Sequence, residues 1–127
     1  MADLNRVERP LSPHISIYRW KATMVTSILT RITGNALLVS FALAVWWLAA
    51  AAISDAAFAQ ANTVATSWFG DLVFTASLLG LWFHYLAGLR HLWWDAIHGL
   101  DKASADTLSW ICLIGSVVLT VFTLFLI

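Results

Sequence analysis

A single cysteine, Cys112, is the only thiol in this chain of 127 residues. No disulfide can close within it, and neither a covalent C-x-x-C-H haem site nor a self-contained iron–sulfur cluster can be built from one sulfur. Charge is also scarce: seven basic and seven acidic residues, 11% of the chain, cancel to a net charge of zero. No basic surface is available to neutralise phosphates, which argues against nucleic acid as a partner. Proline occurs only at positions 10 and 13, where it favours an extended amino-terminal segment. There is no internal repeat and no low-complexity tract beyond the alanines around 49–52, so residues 1–127 read as a single domain.

What the chain has in abundance is apolar surface. At 61% hydrophobic residues and a mean hydropathy of +0.81, it is too apolar for a soluble domain of this size and reads as a membrane protein. Several of its eight tryptophans sit near the ends of apolar runs, where an indole lies in the interface with its N–H toward water. Cys112, inside such a run, reads as a small packing residue.

Residues 1–26 carry Asp3, Arg6, Glu8, Arg9, Arg19 and Lys21 and are expected to stay outside the hydrocarbon. They contain neither an apolar core with a cleavage site nor an Arg-rich, acid-poor composition, so neither a signal nor a transit peptide is expected and the segment is predicted to be retained. The cluster Ile15, Ile17, Tyr18 and Trp20 suits a piece lying along the membrane surface or a partner protein. Three transmembrane helices follow, at about 28–53, 68–94 and 105–127, matching the roughly 20 residues needed for a ~30 Å core. The predicted fold class is therefore all-α, an integral membrane protein with three transmembrane helices. Gly34 marks a candidate close helix crossing, and Gly115 with Ser116 offers a small surface to a neighbouring helix.

Residues 54–71 hold Asp55, Gln60, Asn62 and Asp71 but no lysine or arginine, and read as a polar connection. A second polar connection contains Arg90, Asp95, His98, Asp101, Lys102 and Asp106, with Gly99 as a candidate helix stop. Five basic residues lie at or before Arg31, none in the first connection and two in or around the second. That asymmetry puts the amino terminus in the cytoplasm.

The candidate chemistry concentrates at 82–95, WFHYLAGLRHLWWD. At 100° per residue His84, Gly88, His91 and Asp95 fall within about 60° of one another on a helix, and Ser77 and Gly80 extend the stripe. Trp82, Leu86, Leu89 and Trp93 lie on the far side, which suits acyl chains. His84 is about 16 Å along the helix from Asp95, and an ionisable residue at membrane depth is a functional candidate by default. Three readings compete for it: a haem iron ligand, a proton-relay group, or a hydrogen-bonded packing residue. Gly80 and Gly88, one turn either side, favour a macrocycle lying against the helix. A low-spin haem needs two axial ligands, and no second histidine lies at comparable depth on another helix, so that reading requires a ligand from a partner chain.

His91 could hold a haem propionate or be an interfacial histidine hydrated by headgroups. Asp95 could admit protons to a buried site or pair with Arg90 or Lys102. On the first helix Ser27, Arg31 and Gly34 share a face within about 60°, at the same boundary as Arg90 and His91. Arg31 either snorkels to the surface or pairs with propionates or a carbonyl oxygen, with Ser27 donating a hydrogen bond to the same ligand. A quinone suits such a pocket, since its ring has two carbonyls to anchor and its isoprenoid tail partitions into lipid.

Three runs carry a resemblance over nearly the whole chain: RPLSPH at 9–14, SILTRITG at 27–34 and HYLAGLRHLWWD at 84–95, the last of the form H-x-x-x-G-x-R-H-x-x-x-D. In length, helix number and motif order the chain resembles the cytochrome b membrane-anchor subunits of succinate dehydrogenase, respiratory complex II. The resemblance implies that His84 is one axial ligand of a haem b shared with a second small anchor subunit, which supplies the other histidine. Ser27 and Arg31 match positions that line the ubiquinone site, and Arg31 also lies near the haem propionates there. The rest of that site would come from the iron–sulfur subunit and the second anchor, with Asp95 a candidate on the proton path. Succinate oxidation would occur on a flavoprotein subunit. The expected location is a bacterial cytoplasmic (inner) membrane.

One departure is Thr30, where many members of the family have a histidine before the arginine; a propionate or water contact made by that histidine has no counterpart here. The rival readings are a cofactor-free structural anchor with His84 as a packing residue, and a small transporter or channel subunit. The latter lacks repeated or broken helices to build a substrate site.

Overall fold

The computed structural model describes residues 16–126; the RPLSPH run at 9–14 and Ile15 of the interfacial cluster lie outside the described residues. Ile17 and Trp20 of that cluster are exposed, and the rings of Tyr18 and Trp20 meet edge-on at 6.3 Å.

Four helices follow one another: α1 (Ala22–Ile53), α2 (Asp55–Ala65), α3 (Trp68–Asp95) and α4 (Lys102–Leu126). Helices α1, α3 and α4 are each long and apolar enough to cross a membrane, and no strand occurs among the described residues. With 32 residues, α1 is about 48 Å long and outreaches a ~30 Å hydrocarbon core. It starts at Ala22 rather than near 28, which takes Thr26 and Ser27 into the helix.

Helix α2 falls within the stretch expected to be a polar connection. Ser54 leaves α1 with an extended backbone, and its hydroxyl accepts the Ala57 amide at 3.2 Å, capping the new helix while Asp55 sits in the first turn. The alanine-rich sequence then propagates it. Phe58, Ala61 and Ala65 turn inward, and the Phe58 ring packs against Trp47 of α1 at 5.4 Å. The corner into α3 repeats the device, with Ser67 accepting the Gly70 amide at 3.1 Å. Gly70 is obligatory there, since a Cβ would run into the Ala65 carbonyl oxygen. Asp101 opens α4 by accepting the Ser104 amide at 3.0 Å. Hydrogen bonds from Ser104, side chain first and then backbone, hold the Asp101 carboxyl below the ordinary carboxylate range.

The core is small: Phe83 and Ala87 of α3 and Cys112 of α4, flanked by Leu29, Leu86 and Leu113. Cys112 is a buried packing residue, as expected. The glycine and serine pair on α4 also meets a neighbour. A Cβ on Gly115 would lie 3.0 Å from Leu86 Cδ1, and Ser116 is buried. This corrects one expectation. The side of α3 read as suited to acyl chains is where α4 docks: Leu86 packs on Gly115, the Trp82 indole N–H donates to Thr123 Oγ1 at 3.0 Å, and Leu89 and Trp93 flank a cleft shared with Leu108 and Ile111. A helix and a lipid tail are equally apolar, so hydropathy does not distinguish them.

One polar knot ties the three long helices together. Arg90 of α3 is 4% exposed, and its Nη1 donates to Thr26 Oγ1 of α1 at 2.6 Å and to Ser109 Oγ of α4 at 3.0 Å. The hydroxyls also face carbonyls of their own helices, Thr26 those of Ala22 and Thr23 at 3.0 Å and Ser109 that of Ala105 at 2.7 Å, and Thr26 Oγ1 lies 3.4 Å from Ser109 Oγ. The Trp94 ring covers Arg90, 4.6 Å from its Cζ. The expected pairing of Asp95 with Arg90 or Lys102 is not formed, and among the described residues no carboxylate reaches the guanidinium. The helix register explains why: Arg90 and Asp95 lie about 140° apart around α3, Arg90 facing the bundle and Asp95 facing out.

Removing one acceptor from this buried cation strands part of its donor capacity. Thr26→Val and Ser109→Ala are each expected to cost about 1–3 kcal/mol, read as a lower unfolding temperature in detergent. The double variant should depart from additivity, because both hydroxyls serve one guanidinium.

Candidate functional site

His84 sits where α3 crosses α1. Its Nδ1 lies 3.1 Å from Thr33 Oγ1, and Gly34 lies so close that a Cβ there would stand 3.1 Å from Cε1 of the ring. The direction of the hydrogen bond follows from the threonine. Thr33 is mid-helix and its hydroxyl donates to the Leu29 carbonyl at 2.8 Å, with the Thr30 carbonyl at 3.2 Å. With its one proton on the Leu29 carbonyl, the Thr33 oxygen accepts from the Nδ1–H tautomer of His84. The other ring nitrogen, Nε2, makes no hydrogen bond among the described residues.

The remainder of the stripe divides into two parts. Ser77 bonds Ser40 of α1 at 2.7 Å, and a Cβ on Gly80 would lie 3.8 Å from Thr33 Cγ2, so this end is covered by α1. Toward the end of α3 it opens. Nothing lies within 4 Å of where a Cβ on Gly88 would be, and His91 and Asp95 are exposed. The His91 ring meets Trp94 edge-on at 5.4 Å. On α1, Ser27 is half-buried and Arg31 exposed, and the two share the flank of Gly34. Ser27, Arg31, His91 and Asp95 make no hydrogen bond to one another. Thr30 turns its hydroxyl back to the Thr26 carbonyl at 2.7 Å. Helix α4 docks roughly 160° around α3 from His84, leaving the open stripe uncovered by this chain.

This arrangement fits one kind of metal ligation and excludes another. Among the described residues no three His, Cys, Asp or Glu side chains cluster to hold an ion, so no self-contained metal site exists there. A half-buried imidazole with one ring nitrogen against Thr33 and the other in no hydrogen bond among the described residues suits an iron whose other ligands arrive with a macrocycle and a second chain.

The family described as "Succinate dehydrogenase/Fumarate reductase transmembrane subunit" matches residues 5–123. A Paracoccus denitrificans protein named succinate dehydrogenase cytochrome b556 subunit is 52% identical over 124 residues, covering 98% of this chain and 95% of the relative. A protein of the same name from Rickettsia conorii is 32% identical over 122 residues, covering 90% and 89%. A succinate dehydrogenase cytochrome b560 subunit from Reclinomonas americana is 36% identical over 100 residues, covering 75% and 69%. The chain belongs to the succinate dehydrogenase/fumarate reductase transmembrane subunit family, and within it is of the cytochrome b anchor type.

Sequence reasoning placed His84 and its glycines but missed Thr33 and the Thr26–Arg90–Ser109 knot. The available signal was on α1, where Thr26, Thr30 and Thr33 share one face within about 60°, a polar stripe inside an apolar helix.

The space at Gly34 gives a direct test. Gly34→Val forces the His84 ring away from Thr33 and is expected to cost about 1–3 kcal/mol as overpacking, with Gly34→Ala milder. Thermal unfolding of the purified anchor checks both.

Proposed function

We propose that this chain is the haem b-binding membrane anchor of a succinate:ubiquinone oxidoreductase. The observation that carries the reading is the His84 imidazole, half-buried at the α1–α3 crossing with Nδ1 against Thr33 and Nε2 in no hydrogen bond among the described residues. Haem b, when bound there, supplies a one-electron redox centre within the membrane, and a second small anchor subunit covering the stripe that α4 leaves open would supply the other protein ligand to it. Exposed Arg31 and His91 are the groups on that face suited to haem propionates.

Ubiquinone is held by Ser27 and Arg31 at the same end of the bundle. The Ser27 hydroxyl and the Arg31 guanidinium donate hydrogen bonds to a quinone carbonyl, and the guanidinium offsets the negative charge that develops on that oxygen during reduction. Electrons come from the iron–sulfur subunit, and succinate is oxidised on the flavoprotein subunit. Asp95, exposed at the end of α3, is placed to pass protons from water toward the site. Arg19, Lys21 and Lys102 lie at this end and none lies in 54–71, so the positive-inside asymmetry puts the quinone end at the cytoplasmic side of a bacterial inner membrane. The two soluble subunits dock there, and α2 lies at the opposite side.

The test is to purify the complex through a tag on this chain. Flavoprotein and iron–sulfur subunits should co-purify with a b-type band in the reduced-minus-oxidised spectrum, and His84→Ala should lose that band. A missing band, or one indifferent to His84→Ala, contradicts the assignment. Arg31→Ala removes a charge-assisted hydrogen bond worth about 1.5–3 kcal/mol, so quinone affinity should fall roughly ten- to hundredfold. Unchanged quinone KM and turnover would remove Arg31 from the site.

A further inference from the structure

Thr33 is half-buried on α1 and, among the described residues, is the one side chain that hydrogen-bonds His84. Its hydroxyl is committed on the donor side, 2.8 Å from the Leu29 carbonyl, and that commitment strengthens its oxygen as an acceptor. A short, α1-anchored hydroxyl therefore takes the Nδ1–H of a histidine carried by α3. Its methyl does something separate, filling space beside Gly80, where a Cβ would lie 3.8 Å from Cγ2.

We infer that Thr33 is a positioning residue for the His84 ligand: it fixes the Nδ1–H tautomer, aims Nε2 outward and sets the electron-donating strength of that nitrogen. The inference rests on the ligand role proposed for His84. A hydrogen bond from Nδ1–H to an acceptor moves electron density toward Nε2, making it a better donor to ferric than to ferrous iron. Axial-ligand donation and its outer hydrogen bonds are principal controls on a haem potential. Losing this acceptor weakens donation to the oxidised iron, so the midpoint potential moves in the positive direction. Added water around a loosened ring would act in the opposite direction, which separates the two causes.

Two substitutions divide the threonine into its parts. Thr33→Val keeps the shape and removes the acceptor; Thr33→Ser keeps the acceptor and removes the methyl. In the purified complex, redox titration of the haem band should show a positive shift for Thr33→Val, accompanied by a changed low-spin electron paramagnetic resonance signal or reduced haem content. Thr33→Ser should titrate with the wild type. The reverse pattern, with Thr33→Val like the wild type and Thr33→Ser displaced, assigns the residue to packing and overturns the inference, as does a negative shift in Thr33→Val. Thr33→Ala, which only removes atoms, is read in the same way if the valine variant does not assemble. A wild-type complex without haem, or haem retained in His84→Ala, would remove the ligand role of His84 itself. An unmoved Thr33→Val in a complex whose haem depends on His84 removes only the inference about Thr33.

Discussion

The hydrogen bond from Nδ1 of His84 to Thr33, 3.1 Å across the α1–α3 crossing, decides what the rest of the imidazole can do. An ionisable side chain in an apolar helix needs a partner for every polar atom that lipid cannot satisfy. Thr33 answers for one nitrogen and leaves the other, and Gly34 allows the approach that makes this possible. A protein that needed His84 only as a packing residue gains nothing from a second ring nitrogen with no hydrogen bond among the described residues. The geometry is economical for a group that brings its own acceptor for that lone pair, which an iron porphyrin does.

The packing of α4 protects that arrangement from the other side. Its contacts at Gly115 and Thr123 cover the flank of α3 roughly opposite His84, so the chain's own third span does not compete for the stripe. Arg90 then locks α1, α3 and α4 together near the end where Ser27, Arg31, His91 and Asp95 gather. Two hydroxyls and an indole hold this buried cation, and among the described residues no carboxylate reaches it. That leaves the carboxylate of Asp95 free at the surface instead of consuming it in an ion pair. Elsewhere the unit buries little: Leu38, Phe41 and Phe125 are 70%, 68% and 85% exposed, as suits side chains meeting lipid or a neighbouring subunit.

Much of this was legible in the sequence, for reasons that differ by feature. Long apolar runs announce spans because hydrocarbon tolerates little else, and His84 stood out because it interrupts one of them. Helix α2 was not legible: Asp55, Gln60 and Asn62 gave the stretch the polarity of a loop, while Ser54 as a cap and the alanines between them supply a helix. Which face of α3 meets a helix and which meets lipid was misread, since Leu86 and Trp82 suit either environment. Thr33 was missed because spacing within one helix says which residues share a face, not which of them meet a residue on another helix. The same limit hid Arg90, whose partners Thr26 and Ser109 lie on two other helices, and made Asp95 look like its natural mate.

The most direct test of the whole account is to locate the iron by anomalous scattering at its absorption edge in crystals of the assembled complex. The account predicts an iron peak in line with His84 Nε2 on the side of α3 away from α4, with Nδ1 still against Thr33. A peak coordinated by other residues, or a His84 ring turned so that Nδ1 faces the iron, would contradict it.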